Sequence, residues 1–304
     1  MPRQKQKPYI GRFAPSPTGP VHFGTLIAAL GSCLQAKNNN GRWLMRMEDV
    51  DTTRTVEGAD TDILKTLESF GFEWHGDVTY QSKCTGVYQQ VLDKLIEQSN
   101  RHASKQALVF PCICSRKQLT QTGSSIYPGT CRQRQLPETQ DHALRLLAKD
   151  IDIRFSDIIM GEQSQNIQQD CGDFIIRRRD RLFAYQLAVV VDDARQGITE
   201  IVRGADLLDS TPRQIYLQQV LGYDTPAYCH LPLAVDASGS KISKSEGAAS
   251  VDIKNKEELL CRALTFLGQD PPADLSDSDI DDIWQWASRN WNIDQIPRQN
   301  HVLV

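Results

Sequence analysis

The chain lacks any apolar run of the roughly 18 to 20 residues that a membrane-crossing helix needs. Its best stretch, 182–191, is interrupted by Gln186. The first seven residues are basic, but 9–12 follow without the apolar core of a secretory leader, so neither anchoring nor export is expected. Charge of one sign is also lacking. With 34 Lys and Arg against 38 Asp and Glu, the net charge of −4 gives no general pull toward nucleic acid or an anionic surface, and any such partner must meet a local patch. There is no internal repeat and no disulfide framework. Eight cysteines are spread over 304 residues whose 40% hydrophobic content can fill a core without staples. These features point to a reducing cytoplasm and to one large domain or two modest ones. Cys33, Cys84, Cys171, Cys229 and Cys261 stand alone and read as small buried hydrophobes.

What is present has the rhythm of a parallel α/β protein. Residues 9–14 read as a short strand, and the Pro-rich run 15–20 reads as a loop. Phe23, Leu26, Ile27, Leu30 and Leu34 then mark one face of a helix, which the run 38–41 ends before a second strand over 43–47. Further helices are indicated by Ile63, Leu64, Leu67 and Phe70, stopped by Gly71, and by Val87, Tyr88, Val91, Leu92 and Leu95. Residues 151–160 and 174–179 resemble hairpin strands, and 187–191 reads as a short buried strand. A helix with Thr211 as N-cap and Pro212 at its first position precedes a last strand over 231–235.

Two segments carry chemistry. In the first, a strand ends at Arg12, Phe13 and Ala14, a loop through Pro15 and Ser16 crosses its carboxyl edge, and His22 and Gly24 open a helix. Free N–H groups and the helix dipole favour phosphate at such a place. His22 can donate to a phosphate, and Gly24 leaves room for a nucleotide. In the second, Lys241, Ile242, Ser243, Lys244 and Ser245 form a cationic loop among small residues, able to close on a polyphosphate. Either alone reads as a capping histidine or a solvated loop. Between them, Cys112, Cys114 and Cys131 bracket a glycine-rich insertion. Three thiolates suit tetrahedral zinc with one further ligand, for which spacing alone leaves His102, His142 or a water open.

Together the segments resemble the class I aminoacyl-tRNA synthetases of the glutamyl branch. The resemblance runs over about 9–248: Arg-Phe-Ala-Pro-Ser-Pro-Thr-Gly from Arg12, His-Phe-Gly from His22, Met-Arg-Met-Glu-Asp over 45–49, the apolar run and acidic pair over 187–193, the segment 197–208, and Lys-Ile-Ser-Lys-Ser from Lys241. Thr25 departs from the many class I enzymes that carry a second histidine there. The resemblance implies an α/β fold: a Rossmann-like parallel-sheet catalytic domain, an inserted zinc-bearing acceptor-type subdomain and a short helical C-terminal extension. The corresponding divisions are 1–98, 99–180, 181–250 and 251–304. It implies that Arg12, Phe13, Ala14, Pro15, Ser16, Glu48, Tyr185 and Arg203 bind L-glutamate, with Glu48 on the ammonium. It further implies that His22, Gly24 and Lys244 meet ATP, that His22, Lys241 and Lys244 are catalytic, and that Tyr127 completes a zinc site with Cys112, Cys114 and Cys131. Arginines suit an acidic amino acid because a planar guanidinium grips a carboxylate with two hydrogen bonds.

The expected cofactors are one structural Zn2+ and Mg2+ with ATP. Only 59 residues follow Ser245, whereas an independent domain takes on the order of 100, so no anticodon-binding half is expected. That selects a resemblance to the glutamyl-queuosine tRNA(Asp) synthetase family. The implied function is tRNA-independent activation of glutamate with ATP and its transfer to queuosine in the anticodon of tRNA(Asp), by a cytoplasmic monomer with no stable protein partner. A glutamyl-tRNA synthetase fragment acting at the 3′ end, a glutaminyl enzyme and a non-catalytic zinc-bearing tRNA-binding protein are the alternatives. Arg177, Arg178, Arg179 and Arg181, or Arg132 and Arg134, could track phosphates or form solvated faces.

Overall fold

The computed structural model describes residues 7–101, 107–120, 126–134, 140–236 and 250–303. Strand β1 (Ile10–Phe13) leads through the Pro-rich loop into helix α1 (Phe23–Asn38), and β2 (Arg42–Met47) returns parallel to β1, pairing Ile10 with Arg42 and Phe13 with Met45. Helix α2 (Ala59–Ser69) then carries the chain to β3 (Thr79–Tyr80), parallel to β2, and α3 (Thr85–Arg101) follows. All five apolar residues that announce α1 are buried, and so is every position from Ala29 to Ala36. A helix covered on several faces cannot show a clean stripe.

The middle of the chain builds an antiparallel sheet from β4 (Val109–Cys112), β5 (Ala143–Leu146) and β8 (Phe174–Arg177), with the short helix α4 (Arg116–Thr120) beside the cysteine loop. Strands β6 (Asp152–Asp157) and β7 (Gly161–Asn166) form a hairpin that joins a different sheet. After α5 (Tyr185–Gln196), β9 (Glu200–Gly204), α6 (Thr211–Leu221) and β10 (Ala227–Leu231), that second sheet has the order β7-β6-β10-β9, with β6, β10 and β9 parallel. It meets β1 where the Thr199 N–H donates to the Ile10 carbonyl at 2.9 Å, so the parallel strands continue from one sheet into the other. A β-carbon on Gly31 would stand 2.7 Å from Leu231 Cδ1, and this close approach seats α1 on β10.

The chain then runs through β11 (Leu233–Val235), α7 (Lys256–Phe266), α8 (Ile280–Asn290) and β12 (His301–Leu303), which pairs parallel to β11. The two C-terminal helices bury Leu260, Leu264, Ile283 and Trp284 in the same core as α1. The indole of Trp284 donates to the Phe70 carbonyl at 2.9 Å and that of Trp291 to Gln35 Oε1 at 3.0 Å. Among the described residues no helix is long and apolar enough to cross a membrane.

Four sequence expectations change. Residues 187–191 are helical, within α5; enclosed by α3, α6 and β8, the run is apolar on every side and has no period to separate it from a buried strand. Residues 151–160 do form one arm of a hairpin, but the other arm is β7, a polar strand with no apolar alternation, while 174–177 joins the antiparallel sheet. Ser210, not Thr211, holds the N-cap of α6; the Thr211 hydroxyl is instead used inside, on the Leu207 carbonyl at 3.3 Å. The strand expected over 231–235 divides at Pro232, which has no N–H to give a ladder, into the end of β10 and β11.

One buried ion cluster ties these elements together. Asp193 on α5 accepts from Arg46 Nη2 on β2 at 2.7 Å and from Arg12 Nε on β1 at 3.2 Å, all nearly sealed from solvent. Breaking a buried pair from one side leaves an uncompensated charge, so Arg46→Met is expected to cost about 3–5 kcal/mol in urea denaturation, and Arg46→Met combined with Asp193→Leu less than the two single losses added.

Candidate functional site

A cleft of about 590 Å³ opens at the carboxyl edge of the parallel strands. Phe13, Pro15, Ser16, His22, Gly24 and Thr25 form one wall, and Gly204, Asp206, Leu231 and Leu233 the other. His22 is the N-cap of α1: its Nδ1 accepts from the Thr25 N–H at 3.2 Å, which leaves Nε2 as the ring's donor, 3.0 Å from Thr25 Oγ1. A β-carbon on Gly24 would press on this imidazole at 3.3 Å, so the absent side chain keeps the ring seated and the helix end open. The expected lysines, Lys241 and Lys244, lie outside the described residues. Residues that follow them reach the cleft, because Ser250 forms a bridge with His22 and the Val251 N–H donates to the Val21 carbonyl at 2.9 Å.

Arg12, Glu48, Tyr185 and Arg203 do not line that cleft. They form an adjoining buried cluster, joined to it where the Glu48 N–H donates to the Pro15 carbonyl at 2.9 Å. Ala14 lies between Phe13 and Pro15 on the same loop. Burial pushes the Glu48 carboxyl above its ordinary range, although Arg46, Arg12 and Arg203 pull it down, and Glu48 Oε1 makes no hydrogen bond among the described residues. Arg203 gives Nε to His230 Nε2 at 3.0 Å and Nη2 to Thr211 Oγ1 at 2.8 Å, and its buried Nη1 has no partner among the described residues. Burial, with Glu48 next, raises the Tyr185 hydroxyl to about 12, so it stays a neutral donor and acceptor. The cluster therefore holds a carboxylate oxygen that faces Arg46 Nη2 at 3.5 Å without a hydrogen bond and a guanidinium nitrogen without one, both in a desolvated place where unmade hydrogen bonds are costly.

Its supports were not singled out from the sequence. Asp193 fixes Arg12 and Arg46; burial raises its carboxyl, but Arg46 and Arg12 outweigh this and hold it low. The next residue back, Asp192, points about 100° around α5 and accepts from Tyr88 Oη at 2.6 Å and Gln81 Nε2 at 3.0 Å. His230 Nδ1 lies 2.6 Å from Asp157 Oδ2. Since Arg203 can only donate, His230 Nε2 must accept, and the ring is neutral with its proton on Nδ1 facing Asp157. Arg46, Asp192 and Asp193 stood inside the quoted motifs; His230, in an apolar strand, gave no such signal.

Cys112, Cys114 and Cys131 come together, all three sulfurs within 4.8 Å of one another. Tyr127 Oη stands 3.5 Å from Cys112 Sγ and 3.8 Å from Cys114 Sγ, accepts from the Cys131 N–H at 2.8 Å, and Cys114 and Cys131 sulfurs are 3.6 Å apart. Tetrahedral zinc with bonds of about 2.3 Å to sulfur has edges of about 3.8 Å, so the donor set fits. Burial raises the Cys131 thiol, but hydrogen bonds from Tyr127, the Ile113 backbone and the other two cysteines bring it down to about 7. His142, half-buried and engaged with the Gln140 carbonyl, stands apart from this group, and His102 lies outside the described residues. Of the arginines considered for phosphate, Arg132 is spent on Asp173, Arg178 on Asp51 and Asp180, and Arg179 on the Ile113 carbonyl.

The family model for tRNA synthetases class I (E and Q), catalytic domain, matches residues 10–267. The protein named Glutamyl-Q tRNA(Asp) synthetase in Dechloromonas aromatica is 50% identical over 98% of both chains. Its namesake in Pseudomonas fluorescens is 50% identical over 95% of this chain and 94% of its own. A glutamate tRNA ligase from Elizabethkingia meningosepticum, solved in complex with its amino acid, superposes with a TM-score of 0.78 over 98% of this chain and 67% of that one, a likeness of fold at 22% identity.

The neutral His230 predicts an acid sensitivity. Burial lowers its pKa, so below the ordinary value of about 6.5 the unfolded chain takes up a proton that the folded one refuses, and stability falls as pH falls. Asp157, held low by His230, loses its contribution only further down, through its own depressed pKa. Unfolding free energy measured from pH 7 to 5 should carry a slope of up to about 1.4 kcal/mol per pH unit that His230→Gln, less stable at pH 7, no longer shows.

Proposed function

Because the chain belongs to the glutamyl-Q tRNA(Asp) synthetases, within the class I synthetases for E and Q and thus among ATP-dependent ligases, we propose that it activates L-glutamate with ATP and transfers it to queuosine in the anticodon of tRNA(Asp). The observation that carries the amino-acid half is the pair of oppositely charged groups left without a hydrogen bond, Glu48 Oε1 and Arg203 Nη1, in one desolvated cluster. A zwitterion with a second carboxylate answers both: its ammonium pairs with Glu48, and a carboxylate takes Arg203, with Arg12 and Tyr185 close enough to share the charge.

ATP occupies the adjoining cleft in this reading, its phosphates against His22, Gly24 and the start of α1, with Mg2+ bound along with them and Lys241 and Lys244 meeting the phosphates; Ala234 and Ser250, described residues before and after these lysines, lie at the cleft. The glutamate α-carboxylate attacks the α-phosphorus, pyrophosphate leaves, and the mixed anhydride waits for an acceptor hydroxyl. No protein nucleophile is required; the residues position and neutralise. Cys112, Cys114, Cys131 and Tyr127 would hold a structural zinc, knitting a cysteine loop whose own apolar core is confined to a few residues such as Phe110 and Leu147. The acceptor rests on the names of the relatives, which match this chain over nearly their whole length.

Labelled glutamate offered with ATP should enter tRNA(Asp) that carries queuosine and not the same tRNA lacking it; labelling of tRNA(Glu) instead would return the chain to the 3′-end synthetases. Glu48→Gln should raise the glutamate KM in ATP–pyrophosphate exchange by about 100-fold, the worth of a buried charged hydrogen bond of about 3 kcal/mol, with little change in the KM for ATP. Since burial raises the Glu48 pKa, the glutamate KM of the parent should climb on acidification before an ordinary carboxylate, near 4.3, would titrate, and the variant should lack that climb.

A further inference from the structure

The loop between β8 and α5 is a tight hairpin. Arg177 bridges Phe183, the Arg178 N–H donates to the Leu182 carbonyl at 2.8 Å, and the Ala184 N–H donates to the Ile176 carbonyl at 3.0 Å. Its tip carries two consecutive arginines that reach in different directions. Arg179 Nη2 donates at 2.5 Å to the carbonyl of Ile113, the residue between Cys112 and Cys114. Arg178 Nη1 pairs with Asp51 Oδ2 at 2.8 Å while its Nη2 holds Asp180 at 2.6 Å.

Asp51 is three residues beyond Glu48, and it organises its own loop by accepting from Thr53 Oγ1 at 2.6 Å and Arg54 Nε at 2.8 Å. That loop in turn braces the cleft, because the Val56 N–H donates to the Pro17 carbonyl at 2.9 Å, between Ser16 and Thr18 of the cleft wall. The hairpin's outgoing limb ends at Ala184, the N-cap of α5, and the next residue is Tyr185. One rigid element thus touches the cysteine loop, the loop that follows Glu48 and the start of the helix that presents Tyr185.

We propose that Arg178 and Arg179 are positioning residues that couple the metal centre to the amino-acid site, so that metal in the cysteine loop tightens glutamate binding and glutamate tightens the metal. The proposal rests on the glutamate and zinc readings above and adds the linkage between them. Neither arginine is needed to touch either ligand. Arg179 senses the backbone between two metal-binding thiolates, and Arg178 passes that position to the Asp51 loop. Because coupling is reciprocal, the factor by which zinc raises glutamate affinity equals the factor by which glutamate raises zinc affinity. Both contacts are partly exposed, which limits the factor to about three-fold.

The test is a competition titration of zinc against a chromophoric chelator, on the full chain, with and without saturating L-glutamate. Glutamate should raise zinc affinity about three-fold in the parent. The ratio should fall to one in Arg178→Ala and in Arg179→Ala, each still binding one zinc without glutamate, and Arg178→Lys should keep part of it. Calorimetric titration of glutamate alone into the parent separates the failures. Glutamate that binds without altering zinc affinity, or a ratio that persists in both alanine variants, overturns the coupling and leaves the amino-acid reading in place. Absence of glutamate binding overturns the amino-acid reading and the coupling with it.

Discussion

Asp193 is the constraint on which the arrangement depends. Two guanidinium groups, from β1 and β2, converge on one carboxylate of α5, and the surroundings exclude water. Burying one anion with two cations would leave excess positive charge without a further acid nearby, and Glu48 supplies it, 3.5 Å from Arg46 Nη2. Because Arg46 is committed to Asp193 through the shorter contact, Glu48 is only partly neutralised, and its Oε1 faces Arg46 without a hydrogen bond. The same network that locks β1, β2 and α5 together therefore also leaves a carboxylate oxygen with an unmade hydrogen bond.

Arg203 is prepared by the opposite device. A guanidinium has five N–H donors, and here His230, Thr211 and the Leu207 carbonyl take those on Nε and Nη2. Asp157 holds the imidazole in the one tautomer that can accept from Arg203, and it also accepts from the His230 backbone at 3.2 Å, which pins β6 to β10. Nη1 is then the donor left over, in a position set by three neighbours rather than by its own flexible stem. A preorganised donor of this kind binds an anion without paying the ordering cost that a free surface arginine would.

The parts legible in the sequence were those encoded by local period or by short motifs. The strand end and loop from Arg12 to Ser16, the histidine at the head of α1, the strand ending at Met47 and the three clustered cysteines all stand where residue order suggested, because each is built from neighbours in the chain. The run 187–191 was misread since a helix buried on all sides and a buried strand share one apolar signature. Strand β7 was missed because its sequence, Gly-Glu-Gln-Ser-Gln-Asn, carries no apolar alternation; its partner β6 and the turn decide it. His230 and Asp157 were missed for a different reason: they lie 73 residues apart, and only the pairing of β10 with β6 makes them one unit.

The C-terminal segment illustrates how a few helices can complete a catalytic unit instead of adding a separate one. Phe266 meets Phe23 edge-on with ring centroids 6.5 Å apart, Trp284 packs on Phe72 at 4.9 Å, and the Trp291 indole reaches Gln35, which itself donates to the half-buried Glu200 at 2.9 Å. These contacts cover the face of α1 turned away from the sheet, so the helix whose N-terminus faces the cleft is held from both sides. A helix end can offer its free N–H groups to an anion only if the helix cannot retreat when the charge arrives. The apolar burial around α7 and α8 therefore acts on the same region as the ion cluster, one fixing the helix end at the cleft and the other fixing the charged groups beside it.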